Sequence, residues 1–139
     1  MPERRHARGI IDTSVVIDLE LIDPDALPSE LAISAVTLAE LAAGPHATAD
    51  VAERARRQER LQRVEATFDP LPIGQAVARA YGRVYAALAA GGRKARGRRA
   101  LDLMIAATAL AAGLPLYTRN PADFGEAAGL LEIVAVETA

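Results

Sequence analysis

The chain has 139 residues, 51% of them apolar, enough for one domain around a single sizeable core. Sixteen basic residues against 18 acidic ones give a formal charge of −2, which argues against a disordered tail or a globally basic nucleic-acid binder. The absence of cysteine excludes disulfides, thiolate catalysis and cysteine-based metal sites, and two histidines, His6 and His46, are too few for a multi-histidine centre, so a bound metal would need carboxylates and the expected compartment is the cytoplasm.

The basic stretch Met1 to Gly9 leads into an apolar segment broken at once by Asp12 and Asp18, which does not read as a secretory signal. Gly9 to Asp12 reads as a strand closed by an acid, with Thr13-Ser14 turning into a helix over Val15 to Leu19. Asp23 to Pro28 is loop, Leu31 to Ser34 a second short strand, and Thr37 to Gly44 a helix stopped by Gly44-Pro45. Ala49 to Phe68, rich in Arg and Glu, reads as an exposed helix, and Pro70 and Pro72 bracket a third strand or an extended link. A helix over Gln75 to Ala90 places Val77, Tyr81, Val84 and Leu88 on one face.

Gly91 to Arg99 is a cationic loop, Leu101 to Ala112 a helix apolar nearly all round and therefore expected to be buried, and Leu114 to Thr118 a strand. After a helical turn at Asn120-Pro121, Leu131 to Val136 makes the last strand. The longest uncharged stretch, Leu103 to Thr118, has 16 residues, short of the roughly 20 that span a bilayer. Short buried strands alternating with helices predict an α/β sandwich in three layers, a mainly parallel central sheet flanked by helices, with no linker dividing residues 1–139.

In such a sheet ligands bind outside the carboxyl ends of the strands, so acids that close a strand or open the next helix converge. Asp12, Glu40, Asp102 and Asp123 meet this condition, spaced 28, 62 and 21 residues apart, so that only folding assembles them. Clustered carboxylates repel one another, and the obvious neutraliser is an oxygen-preferring divalent cation such as Mg²⁺ or Mn²⁺. Three of the acids have good structural alternatives. Thr37 to Glu40 fits a T-x-x-E capping box, Asn120-Pro121 fits an N-cap followed by Pro at the first helical position with Asp123 in the first turn, and Asp102 suits a helix start. Asp12 has the weakest alternative, because an Asp closing an I-I run needs a partner if buried. Thr13, Ser14, Thr118 and Asn120 are polar neighbours able to orient carboxylates or waters, or simply turn and cap residues.

Charge is unevenly spread. Pro70 to Leu101 holds seven cations and no acid, and five of those, Arg93, Lys94, Arg96, Arg98 and Arg99, directly precede Asp102, where they can grip a polyanion beside the acids. Arg119 lies beside Asn120 and joins this RNA-binding set; a solvated loop is the alternative for Arg93 to Arg99, in which case the substrate path runs along Arg54 to Arg63. Metal-binding acids next to phosphate-binding arginines suggest phosphodiester chemistry.

The segments G-I-I-D-T-S, S-A-V-T-L-A-E-L, L-D-L-M-I-A-A-T-A-L-A and L-Y-T-R-N-P-A-D-F, in this order, resemble PIN-domain nucleases, and among them the VapC-type toxins of type II toxin–antitoxin pairs, over nearly the whole chain. The resemblance implies a Mg²⁺- or Mn²⁺-dependent endoribonuclease with Asp12, Glu40, Asp102 and Asp123 as its acidic quartet. Asp12, Asp102 and Asp123 would hold the metal, Ser14, Thr118 and Asn120 would support the acids, and the substrate would be RNA, including structured RNA such as tRNA or rRNA. It also implies a homodimer and a cognate antitoxin whose C-terminal segment blocks the acidic groove. The run Gly91 to Arg99 is more basic than the family pattern requires. Asp123 is the least secure of the acids, since Asn120 or waters are alternatives to it.

Two rivals fit less well. A haloacid-dehalogenase-type phosphatase needs a second Asp two residues after Asp12, where Ser14 stands, and a receiver domain needs a Lys after a later strand, whereas the only lysine, Lys94, lies in the Gly/Arg loop. A non-catalytic RNA-binding module gains nothing from four converging carboxylates beside phosphates.

Overall fold

The computed structural model describes residues 6–138, so most of the basic N-terminal stretch lies outside the described residues. Four short strands, β1 (Arg8–Ile11), β2 (Glu30–Ala32), β3 (Leu116–Thr118) and β4 (Ile133–Ala135), form one sheet in the order β2-β1-β3-β4. Every pairing is parallel, with Ile10 opposite Ala32 on one side and Leu116 on the other. The five helices among the described residues are α1 (Thr13–Ile17), α2 (Ala35–Ala43), α3 (Val51–Thr67), α4 (Gln75–Ala90) and α5 (Arg98–Ala112). None of the described helices is long and apolar enough to cross a membrane.

The strands are apolar on both faces because both faces are covered. Successive side chains point to opposite sides: Ile10, Ala32 and Leu116 enter one core with Val77, Val84 and Leu88 of α4 and Ala106 and Ala109 of α5. Ile11, Ile33 and Tyr117 enter the other with Val15 and Val16 of α1, Leu41 of α2 and Val64 of α3. Two cores divided by one sheet make the expected three layers.

Several boundaries differ from the sequence expectation. α1 begins at Thr13, capped by the Asp12 carboxylate, which accepts from the Val15 N–H. α2 begins at Ala35, capped by Ser34 through the Val36 N–H, so Thr37 lies inside the helix and there is no Thr37–Glu40 capping box. The Pro70–Pro72 segment is an extended link that makes a single parallel bridge, Leu71 opposite Ser34. α5 starts at Arg98, after Gly97 at φ 54°, so Arg98 and Arg99 are helical and Asp102 lies a full turn inside. That helix is not buried all round: Leu103, Ile105, Ala106, Ala107 and Ala109 face the core, while Leu101, Ala111 and Ala112 are exposed. His6, read from sequence as part of a tail, is tied to Glu132 at 2.7 Å and meets the Tyr117 ring edge-on.

Candidate active site

Because the strands are all parallel, their carboxyl ends lie on one edge of the sheet, and Asp12, Ser34 and Thr118 close β1, β2 and β3 there. Asp12 is 5% exposed. Its Oδ1 accepts from the Val15 N–H at 3.1 Å and the Ser14 hydroxyl at 2.5 Å. That fixes the carboxylate through Oδ1 and leaves Oδ2 without a hydrogen-bond partner among the described residues. Ser14 Oγ in turn accepts the Arg119 N–H at 3.1 Å, fastening α1 to the end of β3.

Glu40 projects from the second turn of α2, and its Oε1 accepts the Thr13 hydroxyl at 2.7 Å. Thr13 Oγ1 also lies 3.1 Å from the buried Thr37 Oγ1. One hydroxyl has one proton. Thr13 is the donor towards both oxygens, so its proton goes to the shorter and charged acceptor, Glu40, and Thr13, packed against Thr37, orients the carboxylate from inside the fold. Thr37 was legible in the sequence only as a cap, and its spacing from Thr13 gave no signal.

Asp102, half-buried on α5, is the electrostatic centre of the group. Burial pushes its carboxyl up to about 6, and the neighbouring negative charges of Asp123, Glu40 and Asp12 push the same way, while the Arg98 guanidinium opposes them. The charges of the other three acids named from the sequence thus all reach Asp102. Asp123 is exposed in the 3₁₀ turns of Pro121–Gly129, and its N–H donates to the Asn120 carbonyl. Asn120 occupies the cap position with Pro121 after it, but its side chain makes no cap hydrogen bond. Thr118 is fully buried and its Oγ1 accepts the Asn120 N–H at 3.0 Å, which shapes the turn that presents Asp123.

Among the described residues no three of these carboxylates are gathered tightly enough to enclose a metal ion by themselves. The donor set is nonetheless all oxygen, carries unneutralised negative charge and has open carboxylate oxygens on Asp12 and Glu40. These properties fit a Mg²⁺-like cation that keeps several of its waters.

The cations divide. Arg98 lines a cavity of about 330 Å³ together with Thr13, Glu40, Glu53, Arg57 and Arg60. Arg93 pairs with Glu126 at 3.0 Å, Arg119 pairs with Asp18, and Arg99 is half-buried with an unpartnered Nη1. Lys94 and Arg96 are exposed. Arg57 and Arg60, three residues apart on α3, were noticed in the sequence only as part of a fallback path.

The PIN-domain family model matches residues 9–130, and the chain belongs to that family. Within it the likeness is to the VapC group. Ribonuclease VapC5 of Mycobacterium tuberculosis is 38% identical over 135 residues, covering 94% of this chain and 96% of the relative. Ribonuclease VapC8 of the same species is 36% identical over 110 residues, 78% of this chain and 96% of its own. The crystal structure of VapBC-5, a member of the VapBC family of toxin–antitoxin systems from M. tuberculosis, superposes with a TM-score of 0.82 at 38% identity, over 94% of this chain and 99% of that one.

Proposed function

We propose that the chain is the toxin of a type II toxin–antitoxin pair, a single-domain, divalent-metal-dependent endoribonuclease of the cytoplasm. The observation that carries this reading is that the charges of Asp12, Glu40 and Asp123 all act on Asp102, in a chain that matches a VapC ribonuclease nearly end to end. Asp12, Asp102 and Asp123 would hold Mg²⁺ or Mn²⁺, directly or through water. Such an ion lowers the pKa of bound water and offsets charge on a scissile phosphate.

The protein's own groups supply the rest. Glu40, held by Thr13 on Oε1, keeps Oε2 free to take a proton from the attacking water. Ser14 holds the Asp12 carboxylate in one orientation, and the Thr118–Asn120 turn holds Asp123 at the rim. In-line attack by water on phosphorus breaks the bond to the 3′ oxygen, which leaves with a proton as a 3′-hydroxyl, and leaves a 5′-phosphate on the other fragment. No covalent enzyme intermediate is required. Arg93, Lys94, Arg96, Arg98, Arg99 and Arg119 form the wider RNA-binding set, of which Arg98 stands nearest the acids' charge. A cognate antitoxin and a homodimer are the expected protein partners, and structured RNA such as tRNA or rRNA is the expected substrate.

The test is to expose total RNA to the purified chain, freed of antitoxin, with Mg²⁺ or Mn²⁺ and to sequence the new ends. Discrete cuts bearing 5′-phosphates that vanish with Asp12→Asn are expected. No cleavage, or equal cleavage by the variant, would overturn the reading.

A further inference from the structure

The acids are not the whole of the groove. Beside Glu40 the cavity of about 330 Å³ is walled by Thr13, Ile17, Leu41 and Gly44 and by five charged side chains: Glu40, Glu53, Arg57, Arg60 and Arg98. Glu53 is already neutralised, since Arg56 and Arg57 each bind one of its carboxylate oxygens at 2.9 Å and hold its pKa below the usual range. Arg57 is further pinned by a bond from Nη1 to the Gly44 carbonyl at 2.9 Å. What remains is Glu40 against two guanidinium groups, Arg60 and Arg98.

Arg60 stands apart from its neighbours on α3. Arg54 binds the Pro45 and Thr48 carbonyls, Arg56 and Arg57 bind Glu53, and Arg63 binds Glu20. Arg60, half-buried against the cavity, has no hydrogen bond or ion pair among the described residues, and neither has Arg98, whose nearest charged relation is the field it exerts on Asp102. Two uncommitted guanidinium groups in one cavity that also holds Glu40 have an excess of five-donor forks and a single free carboxylate to face them. An anion is the missing partner, and the geometry of a guanidinium fork suits a phosphate.

We propose that Arg60 and Arg98 form a phosphate subsite in this cavity, which grips an RNA phosphate neighbouring the one to be cut and so sets the strand's path from the acids towards α3. This rests on the reading of the chain as a ribonuclease. It adds a residue, Arg60, that orients substrate without touching the reacting atoms, and it explains why α3 leaves one of its arginines unpaired.

The experiment measures binding of a labelled, mixed-sequence single-stranded oligoribonucleotide to the cleavage-impaired Asp12→Asn chain across a salt series. Arg60→Gln in that background is expected to weaken binding about tenfold and to reduce the log–log salt slope by about 0.7, the loss of one phosphate contact. Arg60→Lys should recover the slope but only part of the affinity, because charge is kept and the fork is lost. Arg63→Gln, an equal change of charge on the same helix at a residue that pairs with Glu20 outside this cavity, should leave affinity and slope close to those of the parent. Equal losses from Arg63→Gln and Arg60→Gln, or none from either, would overturn the subsite while leaving the ribonuclease reading intact, as would an Arg60→Gln chain that loses only binding of an acidic peptide. Failure of the Asp12→Asn parent to bind RNA at all would overturn both. Arg60 anchors no other side chain, so the variants are expected to fold, with circular dichroism as the check.

Discussion

Asp102 links stability to function at the level of a single residue. Its folded pKa of about 6 stands above the ordinary 3.8, so its contribution favours the folded chain fully below pH 3.8 and is lost as pH rises through about 6. In chelator, Asp102→Asn should therefore melt higher than the parent, by a margin that grows from pH 4 to pH 7 and then levels off; with Mg²⁺ or Mn²⁺ present, its RNA cleavage should fall at least about a hundredfold. A margin that does not change with pH would show that the carboxyl is not strained by its neighbours. Glu40 gives the second residue-scale prediction. Thr13→Val removes the hydroxyl that orients it, and kcat should fall about tenfold with KM little changed, as is common when a group behind an active-site ligand is lost. Thr13→Ser should restore most of the rate; a shift confined to KM would assign Thr13 to substrate binding instead.

At the scale of elements, the start of α5 decides which cations reach the acids. Gly97 at φ 54° turns the chain where other residues would be strained, so the helix begins at Arg98 and puts Arg98 and Asp102 four residues apart on one face. The remaining cations of the basic run lie before that turn or, like Arg99, on another face. β1 is as constrained at its other end. A Cβ at Gly9 would meet the Tyr117 ring at 2.7 Å and the Pro28 Cγ at 3.1 Å, and both are buried. Gly9→Ala should cost about 1–3 kcal/mol through overpacking between β1 and β3. The denaturant midpoint should fall with an unchanged m value. An unaltered midpoint would mean that the Tyr117 ring moves aside freely.

At the scale of the whole molecule, the site depends on long-range assembly. The acids come from the end of β1, from α2 and α5 and from the 3₁₀ turns after β3, so a cation bound among them would tie together both helical layers. Mg²⁺ or Mn²⁺ should therefore raise the melting temperature with concentration, by mass action on the folded state, and should do so much less in Asp12→Asn. Excess chelator should stop cleavage, and either ion should restore it; full activity in chelator would exclude the metal mechanism.

Much of this was legible in the chain itself, because strand alternation, helical periodicity and Gly/Pro punctuation are local and depend on a few neighbouring residues. The I-I-D end of β1, the L-Y-T strand and the apolar stripe of α4 could be read directly, and the all-parallel topology puts the carboxyl ends of the strands, Asp12 among them, on one edge. Side-chain pairing could not be read that way. Thr37 looks like a cap in sequence because it fits a capping box, but the true cap is Ser34, which the fold also holds against Leu71 and Thr108. Charge alone made Arg93 to Arg99 one basic run and α3 another, and beyond helical i,i+3 and i,i+4 spacing the local sequence carries no record of which arginines already have partners. Glu53 takes up Arg56 and Arg57 at helical spacing within α3, but tertiary packing decided the rest: Glu126 and Asp18 occupy Arg93 and Arg119, and Arg60 and Arg98 are left facing the cavity beside Glu40, since a long-range ion pair forms only between groups that the fold brings within reach.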